Sequence, residues 1–244
     1  MDNNIGIVFI HGAGLNGSIW DDLIKEINIS SLVIDFPNKK IDGKAIDKLT
    51  FDDYVSAATN QIKNWKKDHF IIVAHSIGAC VGLKVANHFK NELKGFVALG
   101  SVIPINGNSF VSSLPFPQKL IMPIILRLFG TKPPQKSIER ELCNDLTAEQ
   151  TLKIVNEFTP ESKALYITKI NFNLPNTNRL YIKLKNDKST PSILQDKMAK
   201  NLNANKIVAI DSGHLPMMSK ARQLAEILSD FVNEIVQNEK TTNR

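Results

Sequence analysis

Short apolar runs alternating with helix-like stretches constrain this chain more than any other feature of its sequence. Ile5-Gly6-Ile7-Val8-Phe9-Ile10 reads as a buried strand. From Ser18 to Ile27 the apolar residues Ile19, Trp20, Leu23, Ile24 and Ile27 have helical spacing. Leu32-Val33-Ile34 reads as a second strand and Thr50 to Trp65 as a second helix, with Thr50 and Asp53 spaced as a capping box. Two further strands, Phe70 to Val73 and Phe96 to Leu99, flank a helix-compatible run from Ala79 to Lys90. Strands alternating with helices of these lengths predict a parallel sheet covered on both faces.

The rhythm stops between Ser101 and Pro175, which hold eight of the chain's 11 prolines. It resumes with strand Leu180 to Leu184, helix Ser192 to Leu202, strand Ile207 to Ile210 and helix Lys220 to Val236. The expected organisation is an α/β core, residues 1–100 and 176–240, interrupted by a mostly helical cap over 101–175. The polar tail from Asn238 is expected to fray. Within the insertion, Leu120 to Phe129 is strongly apolar, and Phe110, Leu114 and Phe116 precede it. These residues read either as a lid lining a ligand pocket or as the insertion's own core. Pro123 is expected to break a helix there, which counts against a lid lying on a membrane surface.

Composition narrows the function classes. At 244 residues the chain has room for one domain with a sizeable core. Its net charge of +6 is scattered, and the densest basic pairs, Lys39-Lys40 and Lys66-Lys67, are too short to make a nucleic-acid stripe. Two cysteines, Cys80 and Cys143, are too few for a disulfide framework. No basic and apolar leader opens the sequence, and no uncharged apolar run reaches the roughly 18 residues that span a bilayer. A cytoplasmic protein without stable membrane insertion is the expectation. Its oligomeric state is not legible.

The chemistry concentrates in Ala74-His75-Ser76-Ile77-Gly78, between a strand and a helix. A turn that sharp exposes a serine, provided the flanking side chains are small, as in the G-x-S-x-G pattern. Ala74 stands where that pattern has its first Gly. A serine hydroxyl needs a base, and the base needs an orienting acid. Of the five histidines, only His214 lies just past the end of a late strand, in Ile210-Asp211-Ser212-Gly213-His214. His11 falls in a glycine loop, where it would brace the turn, and His75 is expected to point away from Ser76. His69 is expected to be solvated and His88 to end a helix. In the order serine, acid, histidine, the acid comes from the segment after strand 180–184, which selects Asp187. Asp211 is the rival, but so near His214 it would struggle to reach the ring; Asp196 falls inside a helix.

Gly12-Ala13-Gly14-Leu15-Asn16-Gly17 allows two readings. It matches the dinucleotide fingerprint G-x-G-x-x-G, with Asp35 ending the next strand. It equally matches an oxyanion loop, His11-Gly12-Ala13-Gly14, which would aim a backbone N–H at the nucleophile. Only the second reading uses the serine elbow and the late Gly-His, so it is preferred. The oxyanion donors would be the backbone N–H groups of Ala13 and Ile77. No cofactor is called for, and no Cys/His cluster has metal-ligand spacing.

With those residues in place, the chain resembles the α/β-hydrolase superfamily over nearly its whole length. It is most similar to the small plant methylesterase and hydroxynitrile lyase group and its bacterial relatives. Phe9-Ile10-His11-Gly12-Ala13, Trp20 and His75-Ser76-Ile77-Gly78 carry the superfamily likeness. Asp187-Lys188 with Pro191, and Gly213 to Lys220, carry the likeness to the smaller group. The resemblance implies a serine carboxylesterase acting on a small or medium apolar ester, with Ser76, Asp187 and His214 as its triad. The similar lyases have Thr in place of Gly12 and Lys in place of Leu215, so an esterase is expected over a lyase. A ligand receptor built on the same fold is the other alternative. Two positions depart from the family pattern: Ala74, and Asp35-Phe36-Pro37-Asn38, which lacks the usual glycine-rich turn.

Overall fold

The computed structural model describes residues 5–37 and 45–242. Asn38, the Lys39-Lys40 pair and the first four residues lie outside the described residues. The first part runs β1 (Ile5–Ile10), α1 (Asp21–Glu26), β2 (Ser31–Ile34), α2 (Phe51–Trp65), β3 (His69–His75), α3 (Gly78–Ala86) and β4 (Leu93–Leu99). Then come α4 (Phe110–Ser113), α5 (Gln118–Phe129), α6 (Gln135–Leu142), α7 (Ala148–Glu157) and α8 (Ala164–Ile167), with no strand among them. The last part is β5 (Asn178–Leu184), α9 (Ser192–Asn201), β6 (Lys206–Ile210), α10 (Pro216–Ser219) and α11 (Ala221–Thr242).

The six strands form one sheet in the order β2-β1-β3-β4-β5-β6, and every neighbouring pair is parallel. The central strands β1, β3 and β4 are buried on both faces, as expected in an all-parallel sheet, whereas the edge strand β6 is largely exposed. Val8, Ile10, Ile72 and Ala74 pack on one side with Tyr54, Ala58 and Leu83. Ile7, Phe9, Ile71 and Val73 pack on the other with Trp20, Leu23, Leu228 and Val232. Ile10 is level with Ala74, His75 with Leu99, and Leu184 with Ile210. Residues that follow β1, β3, β5 and β6 therefore emerge along one sheet edge, where ligand sites of open α/β sheets form.

Four local expectations are corrected. The stretch 18–27 is a 3-10 turn over Gly17–Trp20 followed by α1, because the Asn16 side chain accepts from the Ser18 N–H and tightens the first turn. Helix α3 stops at Ala86 rather than continuing to Lys90. The tail does not fray at Asn238: α11 continues to Thr242, and Glu239 pairs with Lys94. Helix α5 runs through Pro123 without a break. The run 120–129 is not the insertion's own core, since Leu126 alone among its residues is buried.

Candidate active site

Ser76 leaves β3 with φ of 54°, in the left-handed region. That conformation costs a side-chain-bearing residue about 1–2 kcal/mol. The surroundings hold it in place: the Ser76 N–H donates to Leu99 O at 3.2 Å, and the Cys80 N–H donates to Ile77 O at 2.9 Å. A Cβ on Gly78 would sit 2.3 Å from the carbonyl oxygen of His11, and one on Gly12 would sit 3.0 Å from Ser76 Cβ. The glycine loop therefore lies directly against the elbow. Ala74 is accommodated from the other side: a Cβ on Gly82 would sit only 3.2 Å from the Ala74 methyl. The glycine absent from position 74 has its counterpart one turn into α3.

His214 follows β6 and Asp187 follows β5, two neighbouring strands. His214 Nδ1 donates to Asp187 Oδ2 at 2.8 Å, and both residues are buried. A carboxylate only accepts, so Nδ1 carries the proton and Nε2 is left as a base. The other Asp187 oxygen accepts from the amides of Ser189 at 2.8 Å and Thr190 at 2.9 Å, which fixes the carboxylate's orientation. Asp211 is exposed and accepts from the Asn186 side chain instead. Asp196 pairs with Lys183. His75 Nε2 donates to the His214 carbonyl at 2.9 Å, with ring centroids 4.6 Å apart. The residue next to Ser76 is thus bonded directly to the backbone of His214.

Ala13 and Ile77 bring two backbone amides to this edge, and neither has a hydrogen-bond acceptor among the described residues. Ile77 is the N-cap of α3, where the helix dipole favours negative charge. His11 donates from Nδ1 to Gly12 O at 2.8 Å and so braces the loop. Gly14, at φ of 77°, lies under Phe158: a Cβ there would be 2.0 Å from the phenyl ring. That ring occupies the space beside the glycine on which the dinucleotide reading depends. The Thr159 N–H donates to Gly14 O at 3.0 Å, and Glu157 accepts from Asn16 and Ser18. Residues 157–159 are thereby stitched to the glycine loop. No three His, Cys, Asp or Glu side chains among the described residues are grouped to hold a metal.

The profile of the alpha/beta hydrolase family matches residues 7–227. The chain belongs to that family. Among solved structures, this alpha/beta hydrolase is similar to an extracellular alpha/beta-hydrolase from a Paenibacillus species, described as sharing structural and functional homology with tobacco salicylic acid binding protein 2. The identity is 17%, the TM-score 0.83, and 93% of this chain and 98% of that one are covered. It is also similar to polyneuridine aldehyde esterase (18% identity, TM-score 0.76, 93% and 98% covered). A methylesterase from Arabidopsis gives 19% identity and a TM-score of 0.74, with 94% and 99% covered. No curated protein sequence matches significantly.

Three groups that support this alpha/beta hydrolase's site carry no motif in the sequence. Asp145 Oδ2 accepts from the Gly213 N–H at 2.6 Å and from Ser219 Oγ at 2.8 Å. A Cβ on Gly213 would meet the other Asp145 oxygen at 2.4 Å, which is why a glycine precedes His214. Asn144 Nδ2 donates to Asn186 O at 3.0 Å, next to Asp187. Glu161 accepts from the Tyr54 hydroxyl at 2.9 Å, and the Gly14 amide also bonds its carboxylate. His75 did offer a signal, its place beside Ser76, although the expectation for it was only that it points away from Ser76. His69 is half-buried rather than solvated, with Nδ1 enclosed and unpartnered.

Burial dominates the titration of these groups. It lowers the pKa of His11, and that of His75 well below the usual value, with the His214 ring adding to the second effect. Both rings are therefore neutral. Burial pushes Glu161 up to about 7, against the opposing bonds from Tyr54 and Gly14. The folded state then holds a proton between about pH 4.5 and 7 that the unfolded chain releases. Glu161's contribution is full below the lower value and is lost as pH rises through the upper one. The neutral histidines act in the opposite sense below their unfolded pKa, so a variant comparison is needed to isolate Glu161. Thermal unfolding should show wild type losing on the order of 3 kcal/mol relative to Glu161→Gln between pH 5 and pH 8. Equal pH slopes would assign the carboxyl no such role.

Proposed function

We propose that the chain is a serine carboxylesterase acting on a small or medium apolar ester through an acyl-enzyme. In this reading Ser76 is the nucleophile, His214 the base, Asp187 its orienting acid, and the amides of Ala13 and Ile77 the oxyanion donors. Residues 101–175 form the cap over the site. The observation that carries the proposal is the buried His214–Asp187 bond at the same sheet edge as the left-handed Ser76.

Ser76 Oγ attacks the ester carbonyl carbon as His214 Nε2 takes the hydroxyl proton. The carbonyl oxygen becomes an oxyanion that accepts from the Ala13 and Ile77 amides, each donor of this kind being worth roughly 10²–10³ in rate. The C–O bond then breaks, and His214 returns its proton to the departing alcohol. Water repeats the cycle and releases the acid. Asp187 stays ionised throughout, stabilising the imidazolium and fixing its tautomer.

No hydroxyl stands at position 12, and Leu215 is apolar and fully buried, so the side chains a lyase would use are missing. Both cysteines are free and buried, their thiols pushed up to about 12 at Cys80 and about 11 at Cys143. Inert thiols of this kind suit the cytoplasm proposed for this chain. A panel of chromogenic esters of increasing acyl length tests the reading. Turnover with an optimum at short or medium apolar acyl groups is expected. No turnover, together with thermal stabilisation by the same compounds, would favour a receptor.

A further inference from the structure

Exposed apolar side chains are concentrated in one place. Of the 13 large hydrophobic residues exposed among the described residues, seven lie between positions 116 and 129. Leu120, Ile124 and Leu128 follow each other at intervals of four along α5, with Ile121 and Ile125 beside them and Phe129 at its end. Leu128 is 67% exposed and Phe129 77%. Leu126 is the one buried residue of α5. Soluble monomers rarely leave so continuous an apolar face to water, and such faces mark interaction sites.

The charges of the segment that carries the face are of one sign. From residue 101 to 138 the sequence has no Asp or Glu, and it has four basic residues, Lys119, Arg127, Lys132 and Lys136. All four are exposed. We propose that this face docks on an anionic lipid bilayer. The α5 stripe would enter the headgroup–acyl boundary, and the four cations would meet lipid phosphates. A second copy of the chain fits less well, because a two-fold pairing of this face would set its cations against their own duplicates, and the segment itself supplies no acid to offset them. A bilayer surface offers apolar depth and negative charge together.

The helix would lie in the surface and not cross it. Its 12 residues extend about 18 Å, short of a bilayer's hydrocarbon core. No helix among the described residues is long and apolar enough to span a membrane. Beyond α5, Thr131 donates to the Glu161 carbonyl at 2.6 Å. Phe158 and Thr159 in the same strip cover Gly14, so the docking face and the glycine loop are linked through one strip of chain.

Co-sedimentation with vesicles tests the proposal. Wild type and Ser76→Ala should bind equimolar phosphatidylglycerol–phosphatidylcholine vesicles equally, so the result stands apart from the esterase reading. Phosphatidylcholine alone should bind at least about a hundredfold less, since each surface cation contributes about a factor of five. Binding to the anionic vesicles should weaken as salt rises. Ile124→Glu with Leu128→Glu should lower binding at least about tenfold at an unchanged Tm, because both side chains already face water. Arg127→Glu with Lys132→Glu should lower it to a similar extent. Equal binding to the two lipid compositions, or full binding by the apolar-face variant, would overturn the proposal. So would absence of vesicle binding together with a dimer that Leu128→Glu disperses, which would give the face to a second copy.

Discussion

Replacing Ser76 with Ala is expected to lower ester turnover by about 10⁴-fold or more while leaving the fold intact. The size follows from what remains. Without Oγ there is no atom to form the acyl intermediate, and water must attack a carbonyl that only the two amides polarise. The fold should hold because Ala and Ser each carry one Cβ and meet the φ of 54° equally. The anchoring bonds at the elbow, from the Ser76 N–H to Leu99 and from the Cys80 N–H to Ile77, are made by backbone atoms. Steady-state kinetics on the best ester of the panel, with Tm as control, checks this. Retained turnover at an unchanged Tm would remove Ser76 from the mechanism.

Asp187→Asn has the second largest expected effect, about 10⁴-fold in kcat with little change in KM. The loop decides how the new amide sits. The Ser189 and Thr190 amides still require an acceptor, so the Asn oxygen stays with them and its NH2 turns toward His214. Nδ1 must then accept, which places the ring proton on Nε2, where the base should be free. Asp211→Asn is the control. Its carboxylate is exposed and bonded to Asn186, and its loss should leave kcat close to wild type. Equal losses in the two variants would contradict the assignment of the acid.

The parallel sheet was legible because buried strands leave short apolar runs, and helices between them leave a second period. Ser76, Asp187 and His214 stood out as candidates because each lies within four residues of a strand end, and chain order supplied the roles proposed for them. The structure brings Asp187 against His214. Asp145 and Glu161 were not legible. Each acts through one long-range contact, to Gly213 and to Tyr54 respectively, and a lone carboxylate in a helical segment carries no local mark. The apolar run at 120–129 was visible but its direction was not, since periodicity gives a stripe without saying what faces it. Pro123 misled for a related reason: α5 runs through it, though a proline removes one hydrogen bond from a helix interior.

The central claim is that Ser76 attacks as a nucleophile with His214 as its base. Treatment with a fluorophosphonate, followed by peptide mass analysis, tests it without knowledge of the natural ester. The account predicts a single phosphonyl adduct on the peptide holding Ser76, formed far more slowly in His214→Ala and absent in Ser76→Ala. Labelling on another residue, or none in a folded wild-type protein, would contradict it.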